Sequence, residues 1–337
     1  MAREFTSGAL TGALGKTFIA PLERVKILYQ TGRFTTQTIP QALAQIVRTE
    51  GFRGLFKGNL AGVARIAPYS AIHFGAFEAL RRGMYAARDR ATGAAPHAGQ
   101  PPGAADAAFR SVADFVAGAG AGATAVIGTY PLDVTRTRLA YMIEHTPPQA
   151  GRGAEASGGA RPAPDARGAA RGAQYTIRGL IGQAVREDGA RGLYRGVWPT
   201  LLGIIPYAGL KFLIYEGMKR HPPDAASSGA PQVWWALLSG AVAGLVGQTA
   251  TYPLDVVRRR MQVQGTEAEE MQRFHGRMRA AWVSAEEPYR GVGDGLRRIV
   301  QAHGWGGLFS GMSINLVKVV PSTAVGFVMY DTLKGAL

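Results

Sequence analysis

Long apolar stretches recur along this chain. Phe115 to Leu132 is an uncharged run of 18 residues, and Val233 to Arg258 encloses 24 residues of which only Asp255 is charged. Both are long enough to cross a bilayer as helices. A soluble core tolerates isolated apolar runs, whereas six in one chain favour membrane helices. The other four each carry an internal cation and lie at about 5–30 (Lys16), 59–77 (Arg65), 197–215 (Lys211) and 313–330 (Lys318).

The apolar segments are organised as three repeats. A phrase of the form Pro-x-acid-x-x-base begins at Pro21, Pro131 and Pro253, and two glycines four residues apart precede it each time. This glycine spacing gives a membrane helix a face of small residues, against which a neighbouring helix can pack closely. The glycine pairs are Gly8 and Gly12, Gly118 and Gly122, and Gly240 and Gly244.

Three further features follow each proline phrase. A short amphipathic segment leads into a glycine-framed turn, and a second apolar segment then ends in an aromatic-acid-x-x-base phrase. The predicted fold class is an all-α membrane protein with six transmembrane helices in three pseudo-threefold repeats, each with a short interfacial helix. The turns are GFRGLFKG (51–58), GARGLYRG (189–196) and GWGGLFSG (304–311), and the closing phrases are FEALR (77–81), YEGMK (215–219) and YDTLK (330–334).

Irregular segments separate the repeats or interrupt them. We expect residues 147–174 to be disordered, because this low-complexity stretch lacks apolar side chains to bury. The start of the chain resembles neither a transit peptide nor a signal peptide, so an organelle address is expected to be internal or absent from this sequence. The predicted organisation is repeat 1 (1–87), a connector (88–108), repeat 2 (109–220, containing 147–174) and repeat 3 (221–337, with a charged insertion at 264–290).

The acids and bases of the repeated phrases predict two rings of ion pairs. In a threefold arrangement the acid of one repeat can meet the base of the next, and the two rings would lie at opposite ends of the bundle. A shielded ion pair gives little net stability, which suits a gate that has to open. The first ionic ring pairs Glu23 with Arg136, Asp133 with Arg258 and Asp255 with Lys26; the second ionic ring pairs Glu78 with Lys219, Glu216 with Lys334 and Asp331 with Arg81.

Composition narrows the functional classes. The formal net charge of +15 indicates an acidic partner, namely nucleic acid, an anionic membrane surface or an anionic small molecule. The absence of cysteine excludes disulfides and thiolate chemistry. An enzyme is not indicated, since the chain has no P-loop and no H-E-x-x-H motif. Nucleic-acid binding is disfavoured, because many of the Lys and Arg residues recur beside paired acidic residues. A passive proton leak across the membrane is a further alternative.

The phrases P-x-[DE]-x-x-[KR] and [FY]-[DE]-x-x-[RK], three times each with the glycine-framed turns, resemble the mitochondrial carrier family. The resemblance implies an alternating-access transporter of the mitochondrial inner membrane that uses no metal and no cofactor. A few relatives, however, reside in plastid, peroxisomal or endoplasmic-reticulum membranes. It implies that the first ring is the matrix gate and the second ring is the cytoplasmic gate. It also implies that the interfacial helices lie on the matrix side. The protein would be a monomer that binds cardiolipin at the glycine-framed turns. Gln30 and Gln262 match the glutamine braces of the matrix gate, whereas repeat 2 has Ala140 there.

Charged residues at mid-membrane depth are candidates for substrate binding. Arg65 and Lys318 each lie thirteen residues before the acid of a closing phrase, and the same offset in repeat 2 gives Gly203, followed by Ile204. Two cations and a flat apolar surface at one level suit an anionic, adenine-containing substrate. Further candidates for this site are Lys16, His73, Tyr207 and Lys211.

Longer phrases refine the resemblance. IAPLERVKILYQT and GLYRGVWPTLLGIIPYAGLKF, with YPLDVVRRRMQV and LFSGMSINLVKVVPS, look most like the plant and algal coenzyme A carrier branch. The resemblance implies exchange of coenzyme A for adenosine 3′,5′-bisphosphate or ADP. An exchanger of the ATP-Mg/ADP/phosphate type is the alternative, although no EF-hand loop precedes the first apolar segment. RRRMQV at 258–263 departs from the run of three Arg and three Met of the ADP/ATP carriers.

Overall fold

The computed structural model describes residues 2–34, 37–92, 104–142, 176–221, 230–264 and 289–318. The segment 147–174 lies outside these residues. So do most of the insertion 264–290, the middle of the connector 88–108 and the apolar segment beyond residue 318.

Every regular element in the described part of the chain is helical. Short 3₁₀ helices at Phe52–Phe56, Gly189–Tyr194 and Trp305–Phe309 lie within the glycine-framed turns. In chain order the α-helices are α1 (Ala2–Gln30), α2 (Ile39–Glu50), α3 (Asn59–Ala64), α4 (Ile66–Thr92), α5 (Ala104–Tyr141), α6 (Ile177–Asp188), α7 (Val197–Arg220), α8 (Ala230–Val263) and α9 (Val292–His303), and residues 312–318 are also helical.

The helices repeat in type along the chain. The long helices α1, α5 and α8 contain Pro21, Pro131 and Pro253 and continue as helices through them. A 12-residue helix follows in each repeat, at α2, α6 and α9. Helix α2 begins where the Thr38 backbone N–H donates to Gln41 Oε1 at 2.9 Å, and α6 where Thr176 Oγ1 accepts from the Gly179 N–H at 3.1 Å. These caps satisfy backbone groups that the first turn leaves without partners.

The second apolar segment of repeat 1 is two helices rather than one. Helix α3 ends at Ala64 and α4 begins at Ile66, so Arg65 lies at the break. Pro68 favours a break here, because proline has no N–H to donate to the carbonyl of Ala64 and its ring clashes with that carbonyl. Helix α4 then continues to Thr92 and α5 starts at Ala104, so helices occupy both ends of the stretch predicted as a connector.

The chain divides into two compact units. The first comprises Met1–Ala64, Pro131–Pro199 and Tyr252–Leu337, and the second comprises Arg65–Tyr130 and Thr200–Thr251. In the first unit two buried apolar clusters hold the ends of α1 and α8 against their 12-residue helices and turns. These clusters are Val25, Leu28, Phe34, Ala42, Ile46, Leu55 and Ile314, and Tyr252, Val256, Val257, Ile299 and Leu308.

The last glycine of each glycine-framed turn has a left-handed backbone. The φ angles are 81° at Gly58, 80° at Gly196 and 78° at Gly311. At Gly58 a Cβ atom would also lie 2.7 Å from the backbone oxygen of Arg136. Glycine at this position therefore lets the turn of repeat 1 reach the backbone of α5 beside the base of the first ionic ring.

The tightest helix contacts of the second unit lie at glycines outside the predicted pairs. At Gly118, Gly240 and Gly244 a Cβ atom would meet nothing within 4 Å among the described residues. The tight approaches are at Gly120, where a Cβ would lie 2.8 Å from Leu80, and at Gly128, where it would lie 2.8 Å from Ile72. The repeated glycine pairs therefore do not mark the tightest helix contacts of this unit.

Much of the apolar surface is exposed. Two described stretches, Ala108–Tyr141 and Gly189–Arg220, are long and apolar enough to cross a membrane. Only 28% and 11% of their most apolar 18-residue segments are buried. Large exposed apolar side chains occur elsewhere too, for example Phe18 at 65%, Phe74 at 71% and Trp234 at 71%. Water is a poor solvent for such a surface, and lipid is a good one.

Candidate functional site

The first ionic ring brings together all three acid and base pairs expected from the repeat symmetry. Arg136 of α5 contacts Glu23 of α1. Arg258 Nη2 of α8 lies 2.5 Å from Asp133 Oδ2 of α5, and Lys26 Nζ of α1 lies 3.7 Å from Asp255 Oδ2 of α8. The pairs therefore link α1 to α5, α5 to α8 and α8 to α1.

Burial differs around this ring. The Asp133 side chain is 2% exposed and that of its partner Arg258 is 14% exposed. Glu23 and Asp255 are more open, at 23% and 35%. Since truncating one member of a buried pair leaves a charge without compensation, the Asp133–Arg258 pair is the most costly of the three to break.

Further polar side chains converge on the ring. Lys318 Nζ lies 3.8 Å from Glu23 Oε1, and Arg259 Nη1 lies 3.6 Å from Asp133 Oδ2. Lys26 also donates to Asn315 Oδ1 at 3.0 Å. Among the described residues, the three carboxylates of the ring therefore contact five basic side chains.

The two predicted braces differ. Gln262 Nε2 donates to Asp133 Oδ2 at 2.9 Å, and its Oε1 accepts from Thr137 Oγ1 at 2.8 Å and from Arg259 Nη1 at 2.9 Å. The buried amide of Gln30 makes no hydrogen bond to Lys26 or to Asp255 within the described part of the chain. Repeat symmetry gives the reason: Arg259 occupies the position in α8 that Thr137 occupies in α5, and Arg259 is directed at Gln262 and Asp133.

A second set of contacts joins α1, α5 and α8 through arginines and backbone carbonyls. Arg24 Nε donates to the carbonyl of Ala140 at 3.1 Å. Arg138 Nε donates to the carbonyl of Gln262 at 3.2 Å, and Arg260 Nε to that of Gln30 at 3.2 Å. The acceptors stand at equivalent places, nine residues after each repeat proline. Guanidinium groups at these helix ends also meet the negative end of the helix dipole.

Arg24 is also the centre of a buried ionic cluster. It donates to both Glu50 oxygens at 2.8 Å, to the carbonyl of Gly54, and to that of Met142 at 2.8 Å. Lys57 Nζ lies 2.9 Å from Glu50 Oε2, and the Glu50 side chain is 1% exposed. Burial acts to raise the pKa of Glu50, but the hydrogen bonds and charges of Arg24 and Lys57 outweigh it and hold this pKa below its ordinary value.

Two of the predicted substrate residues lie in the first unit. Lys16 Nζ donates to the carbonyl of Gly62 in α3 at 3.3 Å, and neighbouring Thr17 accepts from Asn59 at 3.0 Å. Lys318 contacts Glu23, as described above. Both lysines can therefore present a positive charge while they hold contacts within the protein.

The other predicted substrate residues lie in the second unit, and two of them, Arg65 and His73, are close to the ring of Tyr69. The Arg65 guanidinium lies 5.4 Å from the centre of the Tyr69 ring, and Tyr69 is stacked on His73 with ring centres 5.9 Å apart. Tyr69 was not predicted. Its sequence position could have indicated it, because Tyr69 follows Arg65 by four residues, just as Tyr207 follows Gly203 by four residues in repeat 2.

The candidates of α7 contact neighbouring helices. A Cβ atom at Gly247 of α8 would lie 3.3 Å from the Tyr207 ring, and one at Gly122 of α5 would lie 4.0 Å from Ile204. Lys211 Nζ lies 6.0 Å from the centre of the Tyr207 ring. Gly203 lies in α7 directly before Ile204.

The second ionic ring is not closed among the described residues. Glu78 pairs at 2.8 Å with Arg82 of its own helix rather than with Lys219, whose Nζ lies 6.0 Å from the Tyr215 ring centre. The pair of Glu78 and Lys219 is therefore absent here, since an arginine one turn along α4 reaches the carboxylate without help from another helix. Arg81 contacts Asp114 of α5 at 3.1 Å. Glu216 lies in α7, whereas Asp331 and Lys334 lie outside the described residues.

Comparison with known proteins identifies the family. The profile of the family described as mitochondrial carrier protein matches residues 1–87, 108–224 and 230–337. The mitochondrial carrier protein CoAc1 of Arabidopsis thaliana is 41% identical over 337 residues, which cover 99% of this chain and 89% of that protein. The mitochondrial adenine nucleotide transporter ADNT1 of the same plant is 36% identical, with 98% and 86% covered. The mitochondrial coenzyme A transporter SLC25A42 of Xenopus tropicalis is 35% identical, with 96% and 82% covered.

The family profile indicates a membrane transport protein. The chain belongs to the mitochondrial carrier protein family. This membership indicates the mitochondrial inner membrane as its location.

Proposed function

We propose that this carrier exchanges coenzyme A for an adenine nucleotide, adenosine 3′,5′-bisphosphate or ADP, across the mitochondrial inner membrane. It does so with six transmembrane helices and two gates. The first ionic ring is the matrix gate and the second is the cytoplasmic gate. Substrate binding supplies the free energy that opens whichever gate is closed.

One observation carries the gating mechanism. All three pairs of the first ring are in contact, whereas Glu78, Arg81 and Lys219 of the second ring have other neighbours. An alternating-access carrier needs one gate closed while the other is open, and this arrangement supports that cycle. The exposed apolar surface described above supports the assignment of the long helices to the membrane.

The charges of the candidate residues and the named relatives support a phosphate-bearing substrate. Lys16, Arg65 and Lys318 are cations for the phosphate groups, and Gly203 with Ile204 offers an apolar surface for adenine. We also assign Tyr207, Lys211 and His73 to the substrate site, together with Tyr69, whose ring centre lies 5.4 Å from the Arg65 guanidinium. Coenzyme A carries a diphosphate and a 3′-phosphate, so it can use several cations at once. The coenzyme A transporter among the relatives supports this substrate.

The purified protein in detergent tests the proposal by its thermal stability. Ligand that binds the folded state raises the unfolding temperature. We expect coenzyme A to raise it more than dephospho-coenzyme A does, because the 3′-phosphate has a cationic partner. Proteoliposomes loaded with ADP should then take up labelled coenzyme A, whereas empty proteoliposomes should not. Equal stabilisation by the two forms would contradict a site for the 3′-phosphate.

A second candidate function is exchange of adenine nucleotides of the ATP-Mg/ADP/phosphate type. It is favoured by the similarity to an adenine nucleotide transporter over 98% of this chain. Stabilisation and exchange with ATP or ADP, and none with coenzyme A, would select this candidate.

A further inference from the structure

The pair of Lys26 and Asp255 is the loosest of the three pairs in the first ionic ring. The 3.7 Å between Lys26 Nζ and Asp255 Oδ2 exceeds the usual length of a hydrogen bond between charged groups. The lysine side chain is 10% exposed, whereas that of the aspartate is 35% exposed. A buried ammonium group is poorly compensated by a carboxylate that is distant and open to solvent. Lys26 therefore depends on other contacts for its position.

An aromatic ring supplies one of these contacts. Lys26 Nζ lies 5.2 Å from the centre of the Tyr252 ring, and it also donates to Asn315 Oδ1 at 3.0 Å. A cation at this distance is attracted by the negative face of the aromatic system, most strongly where water is excluded. Tyr252 belongs to α8 and precedes Asp255 by three residues. Helix α8 thus contacts the ammonium group of α1 with both a carboxylate and a ring.

The Tyr252 ring is itself fixed by the glycine-framed turn of repeat 3. Tyr252 is fully buried, and its hydroxyl donates to the backbone carbonyl of Ser310 at 2.9 Å. The ring of Phe309 lies nearly parallel to it, at an angle of 7° and with 6.4 Å between the ring centres. Rotation of the Tyr252 ring would break the hydrogen bond and disturb this packing. The turn therefore sets the direction in which the ring faces.

The same turn reaches the backbone of Lys26. A Cβ atom at Gly311 would lie 3.3 Å from the Lys26 carbonyl oxygen and 3.3 Å from Tyr252 Oη. The last glycine of the turn therefore brings α1, α8 and the turn together at one point, where a larger residue would force them apart. The backbone of Lys26 and the ring that faces its ammonium group are positioned by one element.

The aromatic contact occurs at the pair whose predicted glutamine brace is not engaged. Gln262 donates to Asp133 in the neighbouring pair. The equivalent Gln30 makes no hydrogen bond to either charged group of the pair between α8 and α1 within the described part of the chain. The position of Tyr252, directly before the repeat proline, is Ala20 in repeat 1, so that repeat has no ring to offer there. Tyr252 thus supports a pair that Gln30 does not.

We propose that Tyr252 is a positioning residue of the first ionic ring. The face of its ring holds the Lys26 ammonium group beside Asp255, and the glycine-framed turn of repeat 3 holds the ring. This inference rests on the proposed function in so far as the first ionic ring is a gate. It adds to that gate an aromatic residue, and it assigns to the turn a part in holding α1 against α8.

The thermal stability of the full chain in detergent, without ligand, tests the contact. Tyr252→Phe keeps the ring and removes the hydroxyl, and phenylalanine with one, two or three fluorine atoms is then placed at the same position. Each fluorine withdraws electron density from the ring face, which weakens the attraction for a cation. We expect the unfolding temperature to fall stepwise along this series, by about 2–4 °C in total. The same series at Phe34, a ring in the other buried apolar cluster, is the control and should show no such fall.

Two further variants separate this contact from the proposed function. In Lys26→Met, which removes the charge, the fluorine series at position 252 should be flat. A flat series with Lys26 present, or an equal fall in Lys26→Met, overturns the inference. Exchange of coenzyme A in proteoliposomes should be about fivefold slower in Tyr252→Leu, whereas Tyr252→Phe should keep most of the rate. A stepwise fall in stability with normal exchange in Tyr252→Leu would uphold the contact and contradict the first ionic ring as a gate.

Discussion

Arg138 of α5 donates from Nε to the backbone carbonyl of Gln262 at the end of α8, over 3.2 Å. The Gln262 side chain in turn braces Asp133, five residues before Arg138 in α5. The same two helices are thus joined twice, once by a charged pair and once by an arginine and a carbonyl. If only the charged pair breaks, the contact between Arg138 and the Gln262 carbonyl remains. Separation of α5 from α8 at this point therefore requires both contacts to break.

Replacing Arg138 should weaken the protein without changing the ionic ring directly. In Arg138→Gln the shorter side chain cannot reach the Gln262 carbonyl, and a buried acceptor loses its donor. We expect a loss of about 1–3 kcal/mol in the free energy of unfolding, measured as a lower unfolding temperature in detergent. Arg186→Gln, at an exposed position of α6, is the matched control and should change it little. Equal effects of the two changes would argue that the carbonyl contact contributes nothing.

Reversing the charges of one ring pair tests the gate. Asp133→Arg should abolish exchange in proteoliposomes, because a buried positive charge would face Arg258 and Arg259. Adding Arg258→Asp should restore part of the activity, with the remaining deficit due to Arg259. The control is the same reversal of Asp294 and Arg298, a pair within α9 at 2.8 Å, which should leave exchange intact. Absence of any rescue would contradict a gating role for the Asp133–Arg258 pair.

The two glutamines predicted as braces should respond differently to removal of their polar groups. Gln262→Leu takes a hydrogen bond from buried Asp133, and we expect it to cost about 1–3 kcal/mol. Gln30→Leu keeps the volume and removes an amide that binds neither Lys26 nor Asp255, so we expect it to cost less than Gln262→Leu. Unfolding temperatures of the two variants, compared side by side, decide this. A larger loss for Gln30→Leu would show that the brace lies on the other pair.

Repetition explains how much of this site the sequence could predict. The three pairs of the first ring follow from phrases that recur in register, and each pair is in contact. Arg24 could not be predicted in the same way, because the equivalent positions in repeats 2 and 3 are Val134 and Val256. Glu78 contacts Arg82 of its own helix in this structure, a local partner that the rule of symmetry does not take into account.

Other differences follow from local chemistry that was present in the sequence. The break at Arg65 could have been predicted only as one of several places where a proline can interrupt a helix, since α7 continues through Pro206 at the equivalent position of repeat 2. The contact between Lys318 and Glu23 could not, because it joins residues far apart in the chain that no repeated phrase pairs. Features that recur in all three repeats thus predict well which helices form and which charges pair. The partner of a residue that occurs in only one repeat can be identified only in the folded structure.

The buried cluster of Arg24, Glu50 and Lys57 should make stability depend on pH. The pKa of Glu50 is held below its ordinary value in the folded protein, so the unfolded chain binds the proton more tightly. The stabilisation is therefore complete above the pKa of an unfolded glutamate, about 4.3, and is lost as the pH falls through the lower folded value.

We accordingly expect Glu50→Gln to lower the unfolding temperature at pH 7 and to flatten its decline between about pH 5 and pH 3. The change leaves Arg24 buried and without its carboxylate, whereas the bonds from Arg24 to the carbonyls of Ala140 and Met142 persist. Arg24→Gln removes those bonds as well and should therefore be the more damaging variant at every pH. If the decline with pH is equally steep in Glu50→Gln and in the parent protein, the acid sensitivity arises from other carboxylates, and the cluster acts only through its hydrogen bonds.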